Sequence, residues 1–229
     1  MTDPELDPRS DAKIIDSWMT NAAPWTGAVR AGRIESREVA TNQAIVAAIL
    51  TRSPRSVLDI GCGEGWLARA LGTRGIQVTG VDVVPALIEA AQRAGAGHFR
   101  TASYADIAAG TLEVSADVVV CNFSLLGKES VDGLFRAMPA MLNRPGYFIV
   151  QTLHPLTACA EVPYQDGWRD GSWEGFGAEF TDPAPWYFRT LGSWVTLFAA
   201  NRLKLLEVRE PLDARTRRPA SVIFVATAC

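Results

Sequence analysis

Residues 56–65 read SVLDIGCGEG. Val57, Leu58 and Ile60 form a short apolar run that stops at three glycines in alternate positions, Gly61, Gly63 and Gly65. A helix-like segment, residues 66–71, follows and is closed by Gly72 and Gly75. The pattern is that of a buried parallel strand, a tight turn and a helix. Glycine admits positive φ and places no Cβ between backbone and ligand, so the turn is expected to set a small molecule against main-chain N–H groups. A second strand, residues 77–82 (QVTGVD), ends at Asp82. That acid stands roughly 20 residues past the glycines, where strand–turn–helix–strand units bind ribose hydroxyls. A carboxylate accepts two hydrogen bonds from a vicinal diol, so a nucleoside ligand is expected.

The electrostatics narrow the ligand. Dinucleotide sites use G-x-G-x-x-G with a pyrophosphate on the helix N-terminus; here the spacing is G-x-G-x-G. Glu64 in the turn would repel a pyrophosphate, and Asp59 adds negative charge before it. A cationic nucleoside without phosphate suits the site better, and S-adenosylmethionine (SAM) is one. In VLDIGCGEG and VTGVD the chain resembles the class I SAM-dependent methyltransferases. The resemblance covers residues 40–229 in element order, strongly for 56–82. It implies an α/β, Rossmann-like, seven-stranded, mostly parallel sheet with the last strand antiparallel and helices on both faces. A nicotinamide-binding oxidoreductase is the rival at these residues.

Composition bounds the rest. The 229 residues, 48% hydrophobic, suit one α/β domain with additions. A net charge of −3 argues against nucleic acid as the main partner, since phosphate binding needs clustered Lys and Arg. Cys62, Cys121, Cys159 and Cys229 have no C-x-x-C spacing, and a reducing cytoplasm is expected. No apolar run approaches the roughly 18 residues of a membrane span, and no His–carboxylate cluster suggests a metal.

Residues 1–50 are expected to form a flexible arm (1–11) and helices covering the cofactor; residues 51–229 form the methyltransferase domain. Residues 11–19 have helical spacing, and residues 36–50 form an amphipathic helix with Val39, Ile45, Ala48 and Ile49 on one side. In the family this segment often folds over the SAM tail, so Trp25 and Arg37 are cofactor candidates, with Arg37 or Arg30 near the methionine carboxylate. The alternative is a packed Trp and a solvated basic face. The resemblance further implies cofactor contacts from Asp59, Gly61, Cys62, Gly63, Asp82 and Val83. It implies Ser103 and Tyr104 at the third strand end, with Asp106 able to serve instead, and Asn122 and Phe123 at the fourth. Residues 143–146 read as a turn into a fifth strand, 147–153.

His154 ends that strand, either as a general base or as a residue fixing the strand end. Residues 156–190 carry eight aromatic residues at no regular spacing. Long irregular segments in compact domains are usually lids or binding loops. The segment is expected to be a cap over a flat or apolar acceptor, with Arg169 and Arg189 holding an acidic group; a dimer contact is the alternative. Helix 191–200 and strands 204–210 and 221–227 close the fold. The chain looks like bacterial small-molecule methyltransferases near the quinone-type enzymes. The implied reaction is methyl transfer from SAM to an O, N or C atom of a small acceptor, leaving S-adenosylhomocysteine (SAH). A SAM-binding regulatory or partner protein is the other reading, and a homodimer is allowed.

Overall fold

The computed structural model describes residues 7–159 and 161–229. Its strands are β1 Ser56–Ile60, β2 Gln77–Asp82, β3 His98–Thr101, β4 Ala116–Asn122, β5 Leu142–Thr152, β6 Gly167–Arg169, β7 Trp186–Phe188, β8 Leu203–Arg209 and β9 Val222–Ala228. Its helices are α1 Asp11–Arg30, α2 Asn42–Leu50, α3 Trp66–Gly72, α4 Pro85–Ala94, α5 Tyr104–Ala108, α6 Glu129–Met141, α7 Pro155–Ala158 and α8 Leu191–Ala200. Seven strands form one sheet in the order β3-β2-β1-β4-β5-β9-β8. Strands β3 to β5 are parallel. The last strand, β9, lies antiparallel between β5 and β8, so the expected Rossmann-like sheet is present.

Both faces of the sheet are covered, which is why β4 reads ADVVVCN with no polar alternation. One face packs Leu134, Phe135 and Met138 of α6 and Phe198 of α8 against Leu58, Val119 and Phe148. The other packs Ile45 and Ile49 of α2 and Leu67 and Leu71 of α3 against Val57, Val118, Val120 and Ile149.

The N-terminal segment departs from expectation. Residues 1–6 of the expected arm lie outside the described residues, and from Ser10, which caps α1, the chain is ordered as helix. Helix α1 does not end near Met19 but runs through Pro24 to Arg30. Residues 36–50 are not one regular amphipathic helix: Arg37–Thr41 form a π-helical turn before α2. The wider turn brings Arg37 and Thr41 inward and leaves Val39 44% exposed, so Val39 is not on the core side with Ile45, Ala48 and Ile49.

The expected turn at 143–146 is a bulge within β5. Ala116 pairs with Leu142, and the next pairs are Val118 with Tyr147 and Val119 with Phe148.

The 156–190 segment holds more regular structure than its spacing suggests, namely α7 and the antiparallel pair β6–β7. Two of its aromatic residues pack onto α1. Trp173 meets Trp18 edge-on at 5.8 Å, and Phe176 stacks on Trp25 at 6.3 Å. Asn21, fully buried, accepts from Thr181 N at 3.0 Å and donates to Thr181 O at 2.7 Å.

The two halves of the 36–50 segment should respond differently to truncation. Ile45→Ala is expected to cost about 2–5 kcal/mol in denaturant unfolding, whereas Val39→Ala should stay within about 0.5 kcal/mol.

Candidate active site

The site lies at the carboxyl ends of β1, β2, β4 and β5, where open α/β sheets bind ligands. Gly61, at φ +75°, has no room for a side chain, because a Cβ there would lie 2.3 Å from the Ser124 Cβ. Ser124 is fixed from both sides: its hydroxyl donates to Ile60 O at 2.8 Å, and its carbonyl accepts from the Tyr104 hydroxyl at 2.8 Å. Gly63, at φ +56°, faces Trp25, whose Nε1 would lie 3.8 Å from a Cβ at that position. Trp25 of α1 thus stands over the turn, and Phe176 stacks on Trp25.

Four of the turn's N–H groups are bonded within the protein. Gly61 N and Cys62 N both donate to Val81 O, at 2.8 and 3.0 Å, and Gly65 N donates to Cys62 O at 3.1 Å. Gly63 N donates to Asp82 Oδ2 at 2.9 Å. A pyrophosphate needs such groups unspent.

Asp82 accepts one backbone N–H on each oxygen, from Gly63 and from Val84 at 2.9 Å, and keeps lone pairs for a diol. Burial raises its pKa, opposed by the N–H groups of Val84, Gly63 and Val83. Val83 packs with Trp18, Trp25 and Ala22 beside it.

The charge of Glu64 is not directed at a ligand. Its side chain is fully buried, bound by Arg69 Nη2 at 2.6 and 2.7 Å and by Arg30 Nε at 2.9 Å. The expected repulsion of a phosphate by Glu64 is therefore cancelled within the protein. Arg30, which also donates to Ala90 O, is spent and does not serve as a carboxylate holder. Arg37 differs. It is 9% exposed, its Nε donates to Asn42 Oδ1 at 3.2 Å, and its Nη2 is buried with no partner among the described residues. The guanidinium lies over the rings of Trp66 at 4.8 Å and Trp25 at 5.8 Å. Burial lowers its pKa to about 10, against the attraction of Glu64, Glu38 and Asp59, so it stays charged at neutral pH.

Asp59 is 2% exposed. Burial and then the neighbouring Asp82 push its pKa up to about 7, with Arg37 acting in the opposite direction.

Other candidates are placed less favourably. The Cys62 thiol points into the core, against Gly80; burial raises its pKa well above the usual thiol range. Ser103 and Asp106 form a capping box on α5, with Ser103 Oγ to Asp106 Oδ2 at 2.7 Å. Asp106 is thereby committed to the helix end, and so is the Ser103 hydroxyl. Tyr104 is no surface aromatic: its ring packs on the core with its hydroxyl beneath the glycine turn. Asn122 stands at the end of β4 with a buried Oδ1 that has no partner among the described residues. Phe123 follows at φ +55° and donates its N–H to Gln151 O at 2.8 Å.

His154 is 2% exposed, and its Nε2 lies 2.7 Å from Glu210 Oε1; its Nδ1 is buried without a partner among the described residues. Arg189 is consumed by the fold, donating to Gly127 O, Lys128 O and Asp132. Arg169 donates to Pro163 O and Gln165 O. The Arg189 guanidinium is thus not available for an acidic acceptor as expected, whereas Arg169 Nε is buried with no partner among the described residues. Sequence reasoning missed Ser124, Gln151 and Asn21; only Gln151 carried a signal, as the one amide in the apolar run FIVQT.

A family profile described as "Methyltransferase domain" matches residues 34–206, well over half of the chain. The chain belongs to this methyltransferase family. Among curated relatives, a ubiquinone biosynthesis O-methyltransferase of Xanthomonas oryzae is 32% identical over 114 residues, covering 48% of this chain and 47% of that protein. The match therefore spans about half the length of the relative. Among solved structures, magnesium protoporphyrin IX methyltransferase from Synechocystis, with bound SAM, superimposes with a TM-score of 0.65 at 17% identity over 100% of both chains. A SAM-dependent methyltransferase from Mesorhizobium loti gives 0.57 at 22% identity, over 76% of this chain and 90% of that one. The methyltransferase fold is thus the class I fold. No helix among the described residues is long and apolar enough to cross a membrane.

The raised pKa of Asp59 sets a stability test. Its folded value, about 7, lies above the ordinary 3.8, so the folded state holds the extra proton and stability falls as pH rises between those values. The ligand-free Asp59→Asn variant should be more stable than the parent at pH 8, by on the order of 4 kcal/mol. The gain should shrink toward pH 4, read by denaturant unfolding across pH; a pH-independent difference would refute the assignment.

Proposed function

We propose that this methyltransferase uses SAM to methylate a small-molecule acceptor. The observation that supports this best is the state of the glycine turn. Its N–H groups at Gly61, Cys62, Gly63 and Gly65 are internally bonded, while beside it stand an uncompensated buried acid, Asp59, and a buried arginine with a spare donor, Arg37. That set suits a ligand with a diol, a cationic centre and a carboxylate, and not a diphosphate.

In this reading Asp82 takes the ribose diol, and Val83 and Tyr104 flank the adenosine. Ser103 borders it through its main chain. Gly61 and Cys62 border the ligand through their main chain, and Gly63, with no side chain on the Trp25 side, lets it lie close to the backbone. Asp59 faces the cationic end, Arg37 Nη2 takes the carboxylate, and Asn122 and Phe123 border the sulfur. When bound, SAM supplies a methyl group already activated by a positively charged leaving sulfur. The chain's work is then orientation and exclusion of water, worth several kcal/mol of barrier. Trp25 and residues 173–180 shut the crevice from above. We place residues 1–50 as the cofactor cover, 51–229 as the catalytic domain and 156–190 as its cap. The cap reading is supported by the rings of the segment turning onto α1. A general base is needed only if the acceptor is a weak acid; His154 is the proposed one, with Nδ1 free while Glu210 holds Nε2.

The curated relatives are named as O-methyltransferases, which supports oxygen ahead of nitrogen or carbon. The reading includes a cytoplasmic setting and no nucleic-acid partner, and it does not require the homodimer the sequence allows.

Calorimetry tests it: SAH should bind and NAD should not. Asp82→Ala should weaken SAH roughly a hundredfold through loss of two charge-assisted hydrogen bonds. Arg37→Ala should weaken SAH more than methylthioadenosine, which lacks the amino-acid tail. Unchanged SAH binding in Asp82→Ala would sink the ribose assignment.

A further inference from the structure

We propose that Asn122 and Gln151 receive the nucleophile at the point of methyl transfer, and that it is a protic group, O–H or N–H. Gln151 is 1% exposed at the end of β5. Its Nε2 donates at 2.8 Å to the hydroxyl of Ser221, itself fully buried. The bond fixes the amide and leaves Oε1 buried with no partner among the described residues. Asn122 Oδ1 is in the same condition. The two residues are register partners on adjacent parallel strands, so they project from the same face, roughly 5 Å apart. Two neighbouring buried acceptors without a donor destabilise a fold, and a donor-bearing ligand relieves both.

Their place in the sheet says which ligand. Val120 is the register partner of Asp59, and Asn122 lies two residues further on, hence on the face of Asp59. Across the sheet on this face the order is Asp82 on β2, Asp59 on β1, set two residues back from the edge, Asn122 on β4 and Gln151 on β5. The inference rests on the cofactor reading above: if adenosine sits at Asp82 and the cationic end at Asp59, the next position along the edge is where the methyl leaves. The unsatisfied atoms there are both carbonyl oxygens. They hold a hydroxyl or amine by its hydrogen and turn its lone pair toward the methyl; they offer nothing to a carboxylate and do not orient a carbon nucleophile.

Sinefungin, a SAM analogue with an amino-bearing carbon in place of the methyl-bearing sulfur, puts N–H donors at this point. Isothermal titration of the full chain with sinefungin and with SAH isolates the effect as a ratio of affinities. The parent is expected to favour sinefungin about tenfold. Gln151→Leu should abolish most of that preference, and Gln151→Glu, which keeps an oxygen there, should preserve it. Should Gln151→Leu fail to fold, Ser221→Ala, which frees the amide, should lower the ratio as well. A ratio unchanged in Gln151→Leu, or absent from the parent while SAH binds, overturns the proposal alone. No SAH binding to the parent overturns the cofactor reading, and this proposal with it.

Discussion

Burying three carboxylates around one glycine turn is the constraint the rest of the structure answers. A buried charge is tolerated only when paired or hydrogen-bonded. Glu64 is matched by two arginines, Arg30 and Arg69. Asp82 is matched by backbone N–H groups. Asp59 is left with the partial attraction of Arg37 and the repulsion of Asp82, and holds its proton up to about pH 7. The turn is therefore balanced at two acids and poised at the third, where a cation would complete it.

The same balance explains the N-terminal segment. Arg30 closes α1 and Arg37 opens the π-helical turn, so the cations that compensate the turn are also the anchors that hold the cover on the domain. Once α1 is anchored, Trp18 and Trp25 stand over the β2 edge with Ala22, Val84 and Leu87. The 156–190 segment then packs on α1 through Trp173, Phe176 and the Asn21–Thr181 pair. Electrostatics at the turn, packing of α1 and seating of that segment are successive links of one chain.

What could be read from the residues was whatever depends on local pattern. The apolar strands, the glycine turn and Asp82 follow from period and spacing, and they placed β1, β2 and the turn between them correctly. What could not be read depends on who meets whom. Nothing local distinguishes Arg30 from Arg37, yet one meets a buried glutamate and the other keeps a spare donor. Nothing local shows that Arg189 would be enclosed by Gly127, Lys128 and Asp132, or that Asp106 would be drawn into a helix cap. Val39 was misassigned because a π-helical turn changes the residue period, and its sequence, REVAT, carries no breaker.

The distribution of satisfied and unsatisfied groups carries a last implication. Several buried polar side chains are engaged within the fold: Asn21 bonds on both sides of its amide, Ser17 donates to Asp182 O, and Arg189 spends both terminal nitrogens. Among the described residues Arg37 Nη2, Asn122 Oδ1 and Gln151 Oε1 lack partners, as do Thr41 Oγ1, Arg52 Nε, His154 Nδ1 and Arg169 Nε, and Asp59 lacks a matching charge. Native interiors leave few such groups, and a run of them on neighbouring elements is a cost to the fold unless a ligand engages them. In the reading proposed above, a donor would engage β4 and β5, a cation β1 and an anion the π-helical turn. Taken in that order these are the protic acceptor, the charged centre and the carboxylate of the proposed methyl-transfer complex.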